Sequence, residues 1–473
     1  MSKKEKIYIS NIMETHIHNN VTSFHMPGHK NNFIFAENEN LLLYDYTEII
    51  GFDNLQNPKD VIKNSLERIS NIYKTKKSYI LVNGSTIGIL TSILSLCTKD
   101  DLLLISNDCH KSVFSAIELS NCDFSYIYKE KSSIDCFTDF NYSNLENQIV
   151  NIQKTRKIKA ICITSPTYEG VLCDIKILSN LCKKNDILLI VDEAHGAHLN
   201  HNTELPKSSV LEGADIVIQS LHKTMPALTQ SALLHVCSDK INLTKLEHTL
   251  NMLQTTSPSY IFMYTIDKLM ENLSKLPFKE HIKNIKIFRK DFKELSNNDI
   301  MIIDKDFLKT NYFDSTKLII FSKKLSGEQL HSILLKKYKL NFEMYTKNYV
   351  IGITTPLDDF KVYNKLKIAL LEIENEYKNY PKINFFEASS TQKDFSIKKI
   401  SNTDDYVLNS IEKSEGLLCF ENIVPYPPGI PIVLKNELIT KNTILEILSL
   451  KNKKIEIIGV YDYENEFKIK TKR

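Results

Sequence analysis

Short apolar runs alternate with helix-like stretches between Ser78 and about His235. Their apolarity is continuous rather than alternating, which is typical of strands in a sheet that helices cover on both faces. The pattern therefore predicts a mostly parallel sheet, in which ligands bind just beyond the carboxyl ends of the strands. The runs are Tyr79 to Val82, Leu102 to Ile105, Ile161 to Ile163, Ile187 to Val191, Asp215 to Ile218 and Ala232 to Val236.

The pattern changes after about Leu273. Longer helices rich in Lys, Asn and Glu follow, interleaved with apolar runs from Lys317 to Phe321 and from Tyr349 to Ile353. This change predicts a smaller α/β region in the carboxyl-terminal part of the chain.

Composition and charge narrow the class of protein. Of 473 residues, 42% are hydrophobic and 25% are charged, and the 60 Lys and Arg nearly balance the 57 Asp and Glu. This balance gives no electrostatic reason to expect nucleic acid or an anionic membrane as a partner. No apolar stretch has membrane-spanning or signal-peptide length, and the nine cysteines include no C-x-x-C pair. We therefore expect a folded cytoplasmic protein without a zinc ribbon or a disulfide framework.

Groups that could bind an anion follow the first apolar run. Gly84, Ser85 and Thr86 stand where a helix begins, so their hydroxyl and N–H groups could hold a phosphate. Ordinary helix capping explains the same residues equally simply. His110 follows the second run, where a histidine with a structural role is the alternative.

An acid and an amine follow two later runs. Asp192 ends an apolar run at the sheet edge, and a buried carboxylate there requires a cationic or donor partner. Lys223, which follows Ser220 and His222, stands where its amine could be held near Asp192 and made nucleophilic by partial desolvation. An acid, an amine, a histidine and an anion pocket at one sheet edge are the groups needed to hold pyridoxal 5′-phosphate.

The chain resembles the bacterial ornithine/lysine/arginine decarboxylases of the aspartate-aminotransferase fold, in their short form. The resemblance covers nearly the whole chain in order. It rests on FHMPGHK (Phe24 to Lys30), VNGST (Val82 to Thr86), CHKSV (Cys109 to Val113), SPTYEGV (Ser165 to Val171), VDEAHGAH (Val191 to His198), HKTMPALTQ (His222 to Gln230), TSPSY (Thr256 to Tyr260) and YPPGIP (Tyr426 to Pro431).

The resemblance implies the fold and a role for each site residue. The fold would be the PLP-dependent transferase fold type I, with an amino-terminal arm (1–35), a large cofactor-binding domain (36–275) and a small α/β domain (276–473). Lys223 would form the Schiff base with pyridoxal 5′-phosphate, Asp192 would pair with its pyridine nitrogen, and His110 and Ala194 would flank its ring. The other cofactor contacts would be Ser85, Thr86, Ser220 and His222 at the phosphate, Ser165 near the phenolic oxygen, and Thr255 from the neighbouring subunit of an obligate dimer.

Two turns depart from the family pattern. Asn31 and Asn32 replace two glycines after the PGHK segment, and Lys435, Asn436 and Glu437 replace the Pro-Gly-Glu that commonly follows YPPGIP. Asn tolerates glycine-like backbone dihedrals better than most residues, so we expect the turns to survive.

The residues leave other readings open. His195, His198 and His201 have spacings that could suit zinc, but no Glu is interposed as in H-E-x-x-H, and we expect no metal. An aminotransferase would share the fold, yet it generally holds the substrate carboxylate with an arginine of the small domain, and none occurs between Arg289 and the final Arg473. A catalytically silent regulatory homologue is the third reading.

The sequence therefore predicts a lyase that decarboxylates a basic L-amino acid in polyamine metabolism. Arginine is the favoured substrate because the short form resembles the biosynthetic arginine decarboxylases, and lysine and ornithine follow. A cationic side chain would need a carboxylate at the far end of the pocket, for which Glu421 is one candidate. The expected assembly is a homodimer or higher oligomer with the active site at the subunit interface.

Overall fold

The computed structural model describes residues 22–24, 53–383, 395–399, 405–426, 429–452, 455–463 and 466–472. The predicted amino-terminal arm, with FHMPGHK, Asn31 and Asn32, lies outside these residues except for a short strand. Two prolines of YPPGIP, Pro427 and Pro428, also lie outside them.

The strands are numbered in chain order. They are β1 (Thr22–Phe24), β2 (Lys77–Leu81), β3 (Leu102–Ser106), β4 (Asp123–Ile127), β5 (Lys129–Lys131), β6 (Phe137–Phe140), β7 (Ile158–Thr164), β8 (Leu188–Asp192), β9 (Ile216–Ser220), β10 (Ala232–Val236), β11 (Ile300–Ile303), β12 (Lys317–Ser322), β13 (Leu340–Phe342), β14 (Met344–Tyr345), β15 (Tyr349–Ile353), β16 (Tyr406–Ser410), β17 (Val424–Tyr426), β18 (Glu456–Ile458), β19 (Val460–Tyr463) and β20 (Glu466–Lys472).

The α-helices of the described residues are numbered in the same way. They are α1 (Val61–Tyr73), α2 (Gly84–Leu96), α3 (Lys111–Ser120), α4 (Tyr142–Gln153), α5 (Ile175–Lys184), α6 (Ser209–Glu212), α7 (Leu221–Thr224), α8 (Leu243–Leu253), α9 (Tyr260–Asn272), α10 (Phe278–Leu295), α11 (Lys305–Leu308), α12 (Gly327–Tyr338), α13 (Phe360–Glu376) and α14 (Lys441–Asn452). None of these helices has the length and apolarity needed to cross a lipid bilayer.

A seven-stranded sheet forms the centre of the large part of the molecule, in the order β2-β10-β9-β8-β7-β3-β4. All neighbouring strands are parallel except β10, which runs antiparallel to both β2 and β9. The predicted, mostly parallel sheet is thereby confirmed. The apolar run from Ala232 to Val236 differs only in direction, which hydrophobicity alone does not encode.

Both faces of this sheet are buried, as the continuous apolar runs predict. In β3, Leu102 and Leu104 belong to one hydrophobic cluster, whereas Leu103 and Ile105 belong to another. Helices α1, α4, α5 and α9 cover the first face, and α2, α3 and α8 cover the second. A strand enclosed in this way has no solvent-facing side on which polar residues would be favoured.

The carboxyl-terminal part contains further sheets. β11, β12, β15 and β14 form an antiparallel sheet in that order, and α10 and α13 pack on one of its faces. Both apolar runs predicted for this region are strands of that sheet. β16, β20 and β19 form another sheet, whose residues share a separate hydrophobic cluster with α14. The predicted domain limits remain a prediction.

Candidate active site

Adjacent strand ends bring the predicted acid and amine to one edge of the large sheet. Asp192 is the last residue of β8 and lies in register with Thr164 of β7 and Ile218 of β9. The chain leaves β9 at Ser220 and turns at once into the short helix α7, which carries Lys223. Residues that are 31 positions apart in sequence therefore meet because β8 and β9 are parallel neighbours.

Lys223 is held by a histidine. Its Nζ lies 3.0 Å from Nε2 of His195, and its side chain is half-buried. Burial lowers the pKa of the lysine amine, and the carboxylates of Asp192 and Glu343 oppose that shift in part. A lowered pKa increases the fraction of neutral, nucleophilic amine at neutral pH.

Asp192 is a buried carboxyl group at the base of the site. Its Oδ1 accepts a hydrogen bond from the backbone N–H of Ala194 at 3.1 Å. Burial raises the pKa of this carboxyl group, and the Lys223 ammonium opposes the shift. A carboxylate in this position gains stability from a cationic ligand.

His110 caps the amino terminus of α3. Its Nδ1 accepts the backbone N–H of Ser112 at 3.2 Å and lies 2.9 Å from the Ser112 hydroxyl. Burial, together with the positive charges of Lys223 and Lys111, lowers the pKa of the imidazole to about 4. The ring is therefore neutral at neutral pH and fixed in orientation, as a stacking partner requires.

Helix α2 places its first turn beside the end of β9. Gly88 makes this possible, because a Cβ atom there would lie 2.8 Å from Ile218 Cγ2. Ser85 and Thr86 stand in that first turn, and the backbone N–H of Gly84 bonds to the Gln230 carbonyl at 2.9 Å. A helix amino terminus next to a strand end is a favourable position for an anion.

Ser220 and His222 lie on the other side of this position. The Ser220 hydroxyl is buried and has no hydrogen-bond partner within the described part of the chain. His222 Nδ1 bonds to the Ser231 carbonyl at 3.1 Å, and burial lowers the pKa of its imidazole to about 4. A buried hydroxyl without a partner costs free energy, so an oxygen-rich ligand would stabilise this arrangement.

Two predicted contacts have other partners in the chain. The backbone N–H of Ser165 bonds to the Asp192 carbonyl at 3.0 Å, while its hydroxyl accepts the N–H of Cys173 at 3.0 Å. Thr255 accepts the Ser257 N–H at 3.2 Å in the connection between α8 and α9. Both roles toward the cofactor stay predictions.

Three side chains near Lys223 were not predicted. His195 contacts the amine directly, the Tyr168 ring packs on the His195 ring with centroids 4.6 Å apart, and the Tyr168 hydroxyl donates to Glu343 Oε1 at 2.5 Å. His195 and Tyr168 lie in the VDEAHGAH and SPTYEGV segments, so the motifs pointed to the region but not to these contacts. Glu343 carries no such signal, since it lies between the short strands β13 and β14, outside every motif.

The histidines considered for zinc have three different environments. His195 contacts Lys223, whereas His198 Nε2 lies 3.1 Å from Asp314 Oδ2, and His201 packs edge-on against Tyr73. Each ring therefore contributes to a separate contact.

The SPTYEGV turn joins the large sheet to the small one. Tyr168 bonds to Glu343, and Glu169 accepts the Tyr349 hydroxyl at 2.8 Å. Gly170 has φ +98° and packs so closely on Lys317 that a Cβ atom would lie 2.6 Å from its Cγ. Three successive residues of the motif thus fix the small sheet against the site.

The YPPGIP segment lies next to His110. The Gly429 carbonyl accepts the backbone N–H of Lys111 at 3.0 Å, directly after the capping histidine. In the following turn Asn436 has φ +71°, the glycine-like conformation expected of it. Lys435 pairs with Glu118 of α3 at 2.7 Å, so the altered turn also packs against this helix.

The three arginines within the described residues make structural contacts. Arg289 donates to the carbonyls of Ile303 and Lys317 at 3.0 and 2.8 Å. Arg68 pairs with Asp267, and Arg156 pairs with Asp123.

Glu421, the carboxylate that the sequence offers for a cationic substrate side chain, has partners within the chain. It accepts the Tyr461 hydroxyl at 2.7 Å and pairs with Lys470 at 3.2 Å.

Comparison with known proteins identifies the family of the chain. The family model described as "Orn/Lys/Arg decarboxylase, major domain" matches residues 9–356. The chain belongs to this decarboxylase family. It is therefore a PLP-dependent amino-acid decarboxylase, as the sequence predicted.

Relatives of this decarboxylase match over nearly their whole length. An uncharacterized protein YaaO of Bacillus subtilis is 32% identical over 94% of both chains. An arginine decarboxylase of the same organism is 27% identical over 95% of this chain and 94% of its own.

Solved structures show the same fold. The constitutive lysine decarboxylase of E. coli superposes with a TM-score of 0.75 at 16% identity, covering 98% of this chain and 81% of its own. An alanine–glyoxylate aminotransferase from Nostoc reaches a TM-score of 0.57 at 13% identity, covering 79% of this chain and 97% of its own. The predicted α/β class with fold type I is confirmed.

Proposed function

We propose that this decarboxylase acts on a basic L-amino acid, with arginine as the preferred substrate, and that its active site is built on Lys223, Asp192 and His110. The observation that carries the proposal is the convergence of these groups at one sheet edge, with the Lys223 amine 3.0 Å from His195. The product would be the corresponding amine, which is a polyamine or a polyamine precursor.

The residues fit pyridoxal 5′-phosphate. The buried Ser220 hydroxyl without a partner, the first turn of α2 and His222 form the oxygen-binding side, where the phosphate would be held. Asp192 would hold a proton on the ring nitrogen, and His110 and Ala194 would lie on opposite ring faces. When bound, the cofactor supplies an aromatic ring that accepts the electron pair left when carbon dioxide departs.

The protein groups then determine which bond reacts. Lys223 would hold the cofactor through its amine, and His195 Nε2 is placed to share a proton with Nζ. Each arginine within the described residues already bonds to protein groups. None of these three side chains is therefore placed to bind the substrate carboxylate. A tight ionic clamp would stabilise the charged ground state more than the transition state that loses carbon dioxide, so this arrangement favours decarboxylation over transamination.

Full-length similarity supports arginine as the substrate. The Bacillus arginine decarboxylase is covered over 94% of its length, whereas the Hafnia alvei lysine decarboxylase is covered over 63%. We also propose a homodimer, in which Thr255 reaches the partner's cofactor, and a cytoplasmic location.

Incubation with the cofactor and each of arginine, lysine and ornithine tests the proposal. We expect carbon dioxide and the matching amine in equal amounts, fastest from arginine. Lys223→Ala should abolish release, whereas the same change at Lys176, an exposed residue of α5, should leave it intact. Keto acid without carbon dioxide would indicate an aminotransferase, and no turnover would indicate a silent homologue.

A further inference from the structure

A buried ion pair lies next to Asp192 on the same sheet edge. Lys129 Nζ is 2.7 Å from Asp108 Oδ2, and the two side chains are 0% and 3% exposed. Asp108 follows β3, whereas Lys129 begins β5 just after β4 ends. Because β4, β3, β7 and β8 are successive parallel strands of the sheet, both residues lie at the edge that carries Asp192.

Lys129 reaches across the sheet to the strand beside Asp192. Its Nζ also donates to the Thr164 carbonyl at 2.5 Å, and Thr164 is the register partner of Asp192. The backbone N–H of Lys129 bonds to Asn107 Oδ1 at 2.9 Å, which fixes the start of its side chain. The ammonium is therefore held by the ends of two strands.

Burying two charges is expensive, so this pair requires an explanation. Replacing a buried ion pair with apolar residues is often neutral or stabilising, which makes fold stability alone a weak reason for it. Asp108 has a second buried oxygen, Oδ1, without a partner within the described residues. Lys129 is therefore the group that balances the negative charge of Asp108 in the neighbourhood of Asp192.

We propose that Lys129 is a positioning residue that neutralises Asp108 and so keeps Asp192 ionised for the cofactor's ring nitrogen. Two buried carboxylates that interact repel one another, and the one that takes up a proton can no longer hold a pyridinium. The inference rests on the proposed role of Asp192.

The electrostatics of the site agree with this geometry. Burial raises the pKa of Asp192, the Asp108 carboxylate raises it further, and Lys129 and Lys223 lower it. Burial by itself would lower the pKa of Lys129, but the Asp108 carboxylate, together with other neighbours such as Asp139, raises it, and the net shift is upward. The thiols of Cys109 and Cys162 also interact with Asp192, and burial raises the pKa of both, so both are uncharged at neutral pH.

The test is a pH titration of the bound cofactor's absorbance. In Lys129→Met the Asp108 carboxylate loses its cationic partner. The midpoint of the titration should therefore move upward by about one pH unit, and cofactor binding should weaken about tenfold. In the double variant Asp108→Asn/Lys129→Met both charges are absent, so the titration should return to the wild-type position. Asp108→Asn alone should move it downward, in the direction opposite to Lys129→Met.

A control and the contrary outcomes complete the experiment. Lys324→Met breaks another ion pair, with Asp299 at 2.6 Å in the small sheet, and should leave the titration unchanged. The ion pair would be merely structural if the titration moved in the same direction in Lys129→Met and in Asp108→Asn. The same conclusion would follow if the titration of the double variant did not return to the wild-type position. If Lys129→Met does not fold, an unshifted titration in Asp108→Asn overturns the inference. Failure of the wild-type protein to bind the cofactor at all would instead overturn the proposed function.

Discussion

Acid sensitivity of the large sheet should depend on His235, a fully buried residue of β10. Its Nδ1 lies 2.8 Å from the Ser78 hydroxyl, its Nε2 lies 3.3 Å from Gln219 Oε1, and its ring packs against Tyr73 with centroids 4.6 Å apart. Burial lowers the pKa of this imidazole from the ordinary value of 6.5 to about 3. The folded state therefore excludes a proton that the unfolded chain binds.

The sign and size of the effect follow from this shift. Because the pKa of His235 is lower in the folded than in the unfolded state, its contribution is fully present above pH 6.5 and is lost as the pH falls toward about 3. Between about pH 7 and about pH 5, the unfolded chain gains a proton at this position, which lowers the free energy of unfolding by about 2 kcal/mol. That is a substantial part of the about 5–15 kcal/mol typical of native proteins.

Urea unfolding of the wild type and of His235→Asn at both pH values isolates the contribution of His235 to the free energy of unfolding. Circular dichroism is the suitable probe, since the chain contains no tryptophan. At about pH 7 the variant should be less stable by about 1–3 kcal/mol, because it loses packing and a hydrogen bond. At about pH 5 this gap should shrink by about 2 kcal/mol. An unchanged gap would refute the reasoning, and His248→Asn, at an exposed residue of α8, is the matched control.

Three further substitutions test contacts around the site. Tyr168→Phe keeps the ring on His195 but loses the bond to Glu343, so kcat/KM for decarboxylation should fall about tenfold with an unchanged circular dichroism spectrum; an unchanged rate would contradict a role for this bond. Asn436→Ala places an alanine at φ +71° and should cost about 1 kcal/mol more in urea unfolding than Asn436→Gly, because both changes remove the same side chain and only alanine is strained there; equal costs would refute backbone strain as the cause. Gly170→Ala should destabilise the protein by about 2 kcal/mol or more, because the new Cβ would lie 2.6 Å from Lys317 Cγ; wild-type stability would show that the Lys317 side chain can move aside.

The apolar pattern was sufficient to predict six of the seven strands of the central sheet, all but β4, and the strands β12 and β15 of the small one. A strand covered on both faces favours apolar residues at most of its positions, so runs such as Leu102 to Ile105 indicated buried strands. The pattern could not give the direction of β10, because strand direction depends on pairing partners distant in sequence, and parallel and antiparallel strands can bury the same side chains.

The residues at strand ends were predictable because the apolar runs mark where each strand ends. Asp192, Lys223 and His110 each follow an apolar run, and parallel strands deliver their carboxyl ends to one edge whatever the connecting helices contain. Composition served only to exclude classes of partner, since a net charge of +3 gives no reason to expect nucleic acid or an anionic membrane.

The contacts between these groups were decided by the tertiary structure. The spacing of His195 was considered for zinc and set aside, and its contact with Lys223 was not predicted, because that contact depends on the turn after β8 facing α7. Glu343 and Lys129 reach the site from the small sheet and from β5, and no local pattern marks either residue. Charge compensation and side-chain contact depend on distance in space, and a linear pattern records only which residues a single strand or helix presents together.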